Sequence, residues 1–408
     1  MVGTEDVQGY ARKFRNQYER VQDADIDERD REAILNFIHA LDATGNLNEG
    51  TMGARINHLR LSSERADVPL VEMDKSDVDT LLFELNHEHG LAEGTRRNYR
   101  KSLRKFFRHR DEPWAEDITI GAQPSRSVDP DELLTDEEID DLLDAAPNPR
   151  DKATIALLAD TGLRIGAIAS LRIRDLDTSG QMTTLSINED ANVKGASGTV
   201  PLTWSESHLT SYLNNHPRRD VDEAALIHKS AGWYDLDEDG EDGAMTYQYL
   251  SRRIKTAADK AGVARERVNT HNFRKTAISR WIREGLSEQA IKHRAMWDVD
   301  TDQIKTYSGV RDEELNDQIL AHYGIDIERD EHEPTVFPCP RCRSSVREGQ
   351  RFCPNCSAPL TDTAADAVSE ATDTTTDELV STIDPETRDE LVALLENIEA
   401  HPEAALDV

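Results

Sequence analysis

The sequence is short of positive charge, of cysteine and of long apolar runs. Lys and Arg number 48 against 80 Asp and Glu, giving a formal net charge of -32 over 408 residues. No window approaches the roughly 18 consecutive apolar residues of a membrane span. No apolar stretch follows a basic start, so a secretory leader is not expected and the chain reads as soluble and cytoplasmic. Only four cysteines occur, all between 339 and 356, which reads as a metal site and offers nothing for disulfides elsewhere.

The acids are scattered through every segment, so the charge excess is a property of the whole surface and not of one tail. Such a surface suits a salt-rich cytoplasm, where self-repulsion is screened within about 3 Å at roughly 1 M salt. That halophilic reading predicts a melting temperature that rises from low salt to molar KCl. A net negative total does not exclude a nucleic-acid partner, because local basic patches decide that contact.

The length suits two or three domains. Residues 1–112 read as consecutive amphipathic helices without a strand signal. The last, within "EGTRRNYRKSLRKFFRHR", places Tyr99, Leu103, Phe106 and Phe107 at helical spacing. Arg96, Arg97, Arg100, Lys101, Arg104, Lys105 and Arg108 cover the remainder. A cationic strip beside aromatics in so acidic a chain suits contact with DNA phosphates. Residues 113–130 carry Pro, Gly and Ser without periodicity and read as a linker.

A second domain is expected over 131–327. Thr135 and Glu138 have capping-box spacing, and "DKATIALLADTGLRIGAIASL" reads as an apolar helix, a glycine turn and another helix. "GQMTTLSIN" and "GTVPLTW" are short β-rich runs, and helices resume at "MTYQYLSRRIKTAADKAG" and "THNFRKTAISRWIREG". The acidic "DLDEDGEDG" reads as a solvated insertion. Residues 362–383, rich in Thr, Ala and Asp, read as a flexible linker, and 384–402 as a final helix.

Three segments carry the chemistry: "TGLRIGAIASL" with Arg164, "THNFRKT" with His271 and Arg274, and "MWDVDTDQIKTYSGV" with Trp297 and Tyr307. In order and spacing they resemble the tyrosine recombinase (phage integrase) family, of the archaeal site-specific type. The resemblance implies a mostly α architecture: a helical, SAM-like core-binding domain, then a mixed α+β catalytic domain. Tyr307 would be the nucleophile, and Lys194 in "NVKGASGTVPL" matches the family's hairpin lysine, which protonates the departing 5'-oxygen. Trp297 stands where the family more often has histidine, and Ala167 where it usually has an acid. The physics agrees: two guanidinium forks can hold both non-bridging oxygens of a phosphodiester, and an imidazole one turn before Arg274 can move a proton near neutral pH.

Cys339 and Cys342 are two residues apart, and Cys353 and Cys356 repeat that spacing after ten intervening residues. Two such knuckles suit one tetrahedral zinc ion, a structural ribbon over 334–361 with no open coordination position. Arg341, Arg343, Arg347 and Arg351 would give it a positive face for DNA or protein docking.

The sequence therefore predicts a recombinase or integrase that cleaves and rejoins double-stranded DNA through a 3'-phosphotyrosyl intermediate. By the resemblance it would act as a homotetramer on two DNA sites, with zinc only as a structural ion. Neither metal nor nucleotide would enter the strand transfer, and no membrane or small-molecule substrate is expected. A type IB topoisomerase-like enzyme and a catalytically degenerate DNA-binding regulator are the alternatives.

Overall fold

Alternating apolar stripes and capping residues set the N-terminal helices in this computed structural model, which describes residues 3–45, 47–122, 127–180, 182–191, 198–229, 242–297, 300–307, 316, 319–320 and 336–382. Helix α1 spans Tyr10–Asp23, α2 Glu28–Ala43, α3 Glu49–Arg65, α4 Lys75–His87 and α5 Glu93–His109. Asp27 and Asn48 cap α2 and α3, and Asp74 with Asp77 forms a capping box at α4. Ile34, Phe37, Ile56, Leu59, Leu103 and Phe106 meet in one core, each at most 1% exposed. Phe37 and Phe106 pack edge to face with ring centres 5.7 Å apart, a pair worth about 1 kcal/mol beyond its buried area. The buried carboxylate of Asp30 accepts from the backbone N–H groups of Leu70 and Val71, both at 2.9 Å, and so ties α2 to the turn before α4.

Two expected boundaries shift. The linker begins ordered: a 3₁₀ turn at Pro113–Asp117 packs on α5, with the Trp114 ring 4.6 Å from Phe107 and Ala115 and Ile118 buried. An indole that finds an aromatic partner outweighs the loop composition around it. At the other end, the segment Thr4–Gln8 belongs with the stretch beyond the linker rather than with the helical body. The 5% exposed Arg172 donates to Thr4 Oγ1 at 2.9 Å, Thr4 N–H donates to Asp242 Oδ2 at 2.6 Å, and Tyr247 N–H donates to Val7 O at 3.3 Å.

Beyond the linker, α6 covers Asp136–Ala145, with the expected Thr135–Glu138 capping box formed in both directions. Helix α7 covers Pro149–Thr161 and α8 Ile165–Ser170. Strands β1 (Leu176–Asp177), β2 (Thr184–Ser186) and β3 (Thr199–Pro201) form an antiparallel sheet in that order, with Leu185 opposite both Leu176 and Val200. The strand reading of "GTVPLTW" holds only to Pro201. Trp204 instead leads into α9, Ser205–Leu213, a helix the sequence analysis did not anticipate. Helices α10 (Tyr247–Ala261), α11 (Thr270–Arg283) and α12 (Glu288–Arg294) follow, then a 3₁₀ turn at Gln303–Tyr307. No helix among the described residues is long and apolar enough to cross a membrane.

The chain divides into two compact units, one of residues 1–201 with 216–328 and one of residues 202–215 with 329–408. In the second, β4 (Val336–Pro338) pairs with β5 (Ser345–Arg347) and joins α9. The stretch expected to be a flexible linker is instead helical: α13 spans Asp362–Thr382. Thr361 Oγ1 accepts from Ala364 N–H at 3.2 Å and Asp362 favours the first turn, so a capped start and repeated alanines prevail over the polar composition. The expected helix at 384–402 lies outside the described residues.

Candidate active site

The glycine turn is built from α7 outward. Gly162 closes the helix at φ 58°, with its N–H on Leu158 O at 3.1 Å. A Cβ there would lie 3.1 Å from both Ala277 Cβ and Trp281 Cη2, so the left-handed turn and the close approach of α11 both call for glycine. Arg164 then takes the N-cap position of α8, half-buried, and its guanidinium has no hydrogen-bond or ion-pair partner among the described residues. Burial lowers its pKa. Ala167 is 1% exposed, so α8 carries a buried alanine at the position noted in the sequence as departing from the usual acid.

Asn269 caps α11 by accepting from the N–H groups of His271 and Asn272, at 3.1 and 3.0 Å. His271 therefore stands exposed in the first turn, one turn before Arg274 on the same helix. Arg274 is 4% exposed. Its Nη1 donates to Gly162 O at 2.8 Å and its Nη2 to Ala295 O at 2.5 Å. Both acceptors are neutral, so the fork is fixed while its charge is not cancelled. Burial, then the like charge of Arg164, push the guanidinium down to about 10, with Tyr307 acting in the opposite sense.

Trp297 follows a left-handed residue, Met296 at φ 51°, which turns the chain at the end of α12. The Trp297 ring centre lies 5.5 Å from Arg274 Cζ and 6.1 Å from the centre of the Tyr307 ring. Its Nε1–H is buried with no hydrogen-bond partner among the described residues. Tyr307 ends the 3₁₀ turn, 5% exposed, packed with Val128, Ala277, Ile278 and Trp281. The linker contributes directly, since Val128 N–H donates to Thr306 O at 2.9 Å. Burial pushes the Tyr307 phenol up to about 12, with Arg274 pulling against it. The structure thus brings Arg164, Arg274, Trp297 and Tyr307 into one electrostatic neighbourhood. Lys194 lies outside the described residues.

Two charged residues of this neighbourhood escaped the sequence analysis: Asp160, with no exposed surface, and Arg294, whose Nη2 donates to Asp160 Oδ1 at 2.8 Å. The signal was an acid inside the apolar run "TIALLADTGL", which demands a buried partner.

The cationic strip on α5 is less bare than expected. Arg96 and Arg100 pair with Glu93, Arg104 and Arg108 both pair with Glu116, and Arg97 Nε donates to Gly121 O at 3.4 Å. The acids come from the helix's own first turn and from the 3₁₀ turn folded back on it, which a reading of the strip alone does not register. Hydrogen bonds from Arg108 and Arg104 hold the Glu116 carboxyl at about 2. Lys101 and Lys105 stand exposed without such partners among the described residues.

In the cysteine module the two knuckles are geometric copies. Arg343 N–H donates to Cys339 O at 2.9 Å and Ser357 N–H to Cys353 O at 2.8 Å, with Arg343 and Ser357 both left-handed. The four sulfurs lie within 4.8 Å of one another, with Cys339–Cys356 at 3.7 Å and Cys342–Cys353 at 3.6 Å. Tetrahedral thiolates about 2.3 Å from zinc are about 3.8 Å apart, so the donor set fits that ion. Asn355 Nδ2 approaches Cys342 Sγ at 3.7 Å, a contact that orients a ligand sulfur. The expected positive face is incomplete: Arg341, Arg343 and Arg351 are exposed, but Arg347 is 4% exposed, its Cζ 5.1 Å from the Trp204 ring centre.

Residues 132–314 match the phage integrase family model. A search of curated proteins gives no match. Among solved structures, the chain is similar to XerA recombinase at 18% identity and TM-score 0.38, covering 72% of this chain and 98% of that one. It is similar to a lambda integrase tetramer bound to a Holliday junction at 15% identity and TM-score 0.49, covering 68% and 76%. Similarity to XerH site-specific recombinase bound to a palindromic difH substrate stands at 16% identity and TM-score 0.48, covering 78% and 97%.

Proposed function

We propose that the protein is a site-specific DNA recombinase that breaks and rejoins strands through a 3'-phosphotyrosyl intermediate. The observation that carries this reading is a set of unsatisfied donors around a fixed guanidinium. Arg164 and the Trp297 indole N–H have no acceptor among the described residues, and both belong to the neighbourhood of Arg274 and Tyr307. The buried Trp297 donor left unpaired costs about 1–3 kcal/mol, and a phosphate oxygen would satisfy it.

Arg164 and Arg274 neutralise the two non-bridging oxygens of the scissile phosphate, and Trp297 donates a further hydrogen bond. The Tyr307 oxygen attacks phosphorus, its proton passing to His271, while the bond from phosphorus to the 5'-oxygen breaks and Lys194 protonates the departing oxygen. The phosphodiester energy is kept in the phosphotyrosine, so a 5'-hydroxyl from another strand can reverse the step without water. Tyr307 rests protonated, as any phenol does near neutral pH, and burial makes its ionisation harder still, so exposing it is part of engaging DNA. Lys101 and Lys105, with the arginines that DNA phosphates would take over from Glu93 and Glu116, supply backbone contacts. The four cysteines hold a structural zinc ion, and four protomers assemble on two sites.

The test is covalent trapping. Full-length protein is incubated with a pool of nicked duplexes of randomised sequence, and DNA that survives denaturation on the protein is recovered. Wild type yields an adduct at Tyr307, and Tyr307→Phe yields none. Binding without any adduct would favour a regulator, and relaxation of arbitrary plasmids a topoisomerase.

A further inference from the structure

Arg274 is held by two carbonyls that belong to different helix ends: Gly162 closes α7 and Ala295 closes α12. The fork can point at a phosphate only if those two ends keep their spacing. One ion pair bridges them alongside the clamp. Arg294, the residue before Ala295, donates from Nη2 to Oδ1 of Asp160, two residues before Gly162, at 2.8 Å, and to the Asp160 carbonyl at 3.3 Å.

The surroundings make this bridge stiff. Asp160 has no exposed surface, and Arg294 Cζ lies 5.0 Å from the ring centre of Trp281 on α11. That indole also fills the space beside Gly162. Arg280, on the same helix, donates to Ala159 O at 3.0 Å. Carbonyls 159, 160 and 162 at the negative end of α7 therefore each receive a guanidinium, an arrangement the helix dipole favours. Only Arg274 among the three belongs to the proposed phosphate site.

We propose that Asp160 and Arg294 are positioning residues for that site: their ion pair sets the distance between the Gly162 and Ala295 carbonyls and so aims Arg274. The proposal rests on the DNA-cleaving reading given above. Neither residue touches the substrate.

The test uses full-length Asp160→Asn and Arg294→Lys with a nicked duplex recovered by wild-type trapping. Asp160→Asn is expected to slow single-turnover adduct formation about 100-fold, as small misplacements of a reacting group do, with DNA affinity unchanged. Arg294→Lys, which keeps the charge but loses the fork, is expected to slow it about 10-fold. The distinguishing measurement replaces the scissile phosphate with a methylphosphonate. Lacking one anionic oxygen, that linkage asks less of Arg274, so the gap between variant and wild type narrows. A general loss of folding would leave the gap unchanged. Equal rates on the natural phosphate, or an undiminished gap on the methylphosphonate, overturn the proposal. If Asp160→Asn does not fold, Arg294→Lys carries both comparisons. Failure of wild type to form any adduct sinks the cleavage reading and this inference together, whereas an active wild type with indifferent variants sinks this inference alone.

Discussion

The arginines of α5 and Arg274, held at the end of α7, are the same side chain treated in opposite ways. On α5, Arg96, Arg100, Arg104 and Arg108 lie at the surface with carboxylates within reach, and Glu93 and Glu116 cancel their charge. At the end of α7, Arg274 is buried and held by neutral carbonyls, so its orientation is fixed at no cost in charge. In a chain of net charge -32, acids lie close to most of the arginines on this helix. Burial among backbone acceptors is how a guanidinium keeps its charge for an incoming anion, and the separation from solvent makes that charge act over a longer range.

The sharpest way to break the contrast is Arg274→Gln. It is expected to cut adduct formation on a trapped duplex about 1000-fold, the scale seen when one oxyanion donor is removed. A loss under tenfold would show that the buried charge does not matter to the chemistry.

Next in size is an acid effect at the helical body. His58 on α3 is held down to about 4 by burial, with Arg55 adding to it. Its Nδ1 lies 2.9 Å from Ser102 Oγ, and its ring centre lies 4.6 Å from that of Tyr99. Because the folded pKa is depressed, the unfolded chain binds the proton first. The stabilisation is complete above about pH 6.5 and is lost as pH falls toward about 4, amounting to at most about 3 kcal/mol. Chemical denaturation at a series of pH values should show that slope, and His58→Gln should flatten it. An unchanged slope would mean that His58 titrates normally.

The smallest effect sharpens the surface half of the comparison. Glu116→Gln removes the acid shared by Arg104 and Arg108, so both become available to phosphates. Non-specific DNA affinity is expected to rise several-fold, with the slope of log K against log salt steeper by up to about 2. If neither the affinity nor the slope moves, α5 does not face DNA.

Much of this was legible beforehand because it is local. The helices of the N-terminal body follow from their apolar spacing, the α6 start from Thr135 and Glu138, and the turn before Arg164 from the one glycine that can take it. Helix α9 was not legible. "SESHLTSYL" is short and rich in Ser and Thr, follows a β-like run, and is held by partners remote in sequence: Ser345 N–H on Glu206 at 3.2 Å and Gln350 beside His208 at 3.0 Å. The pairing of Asp160 with Arg294 and the capture of α5 arginines by Glu116 were hidden for the same reason. Each is a contact between residues that no period or spacing connects.

Gly162 shows how little tolerance such a design leaves. Its carbonyl is half of what grips Arg274, and the place where a side chain would begin is already hemmed in by Ala277 and Trp281. One added methyl would be felt twice, as backbone distortion and as a displaced anchor. Drift at this position is therefore closed off in a way that drift along the acidic exterior is not.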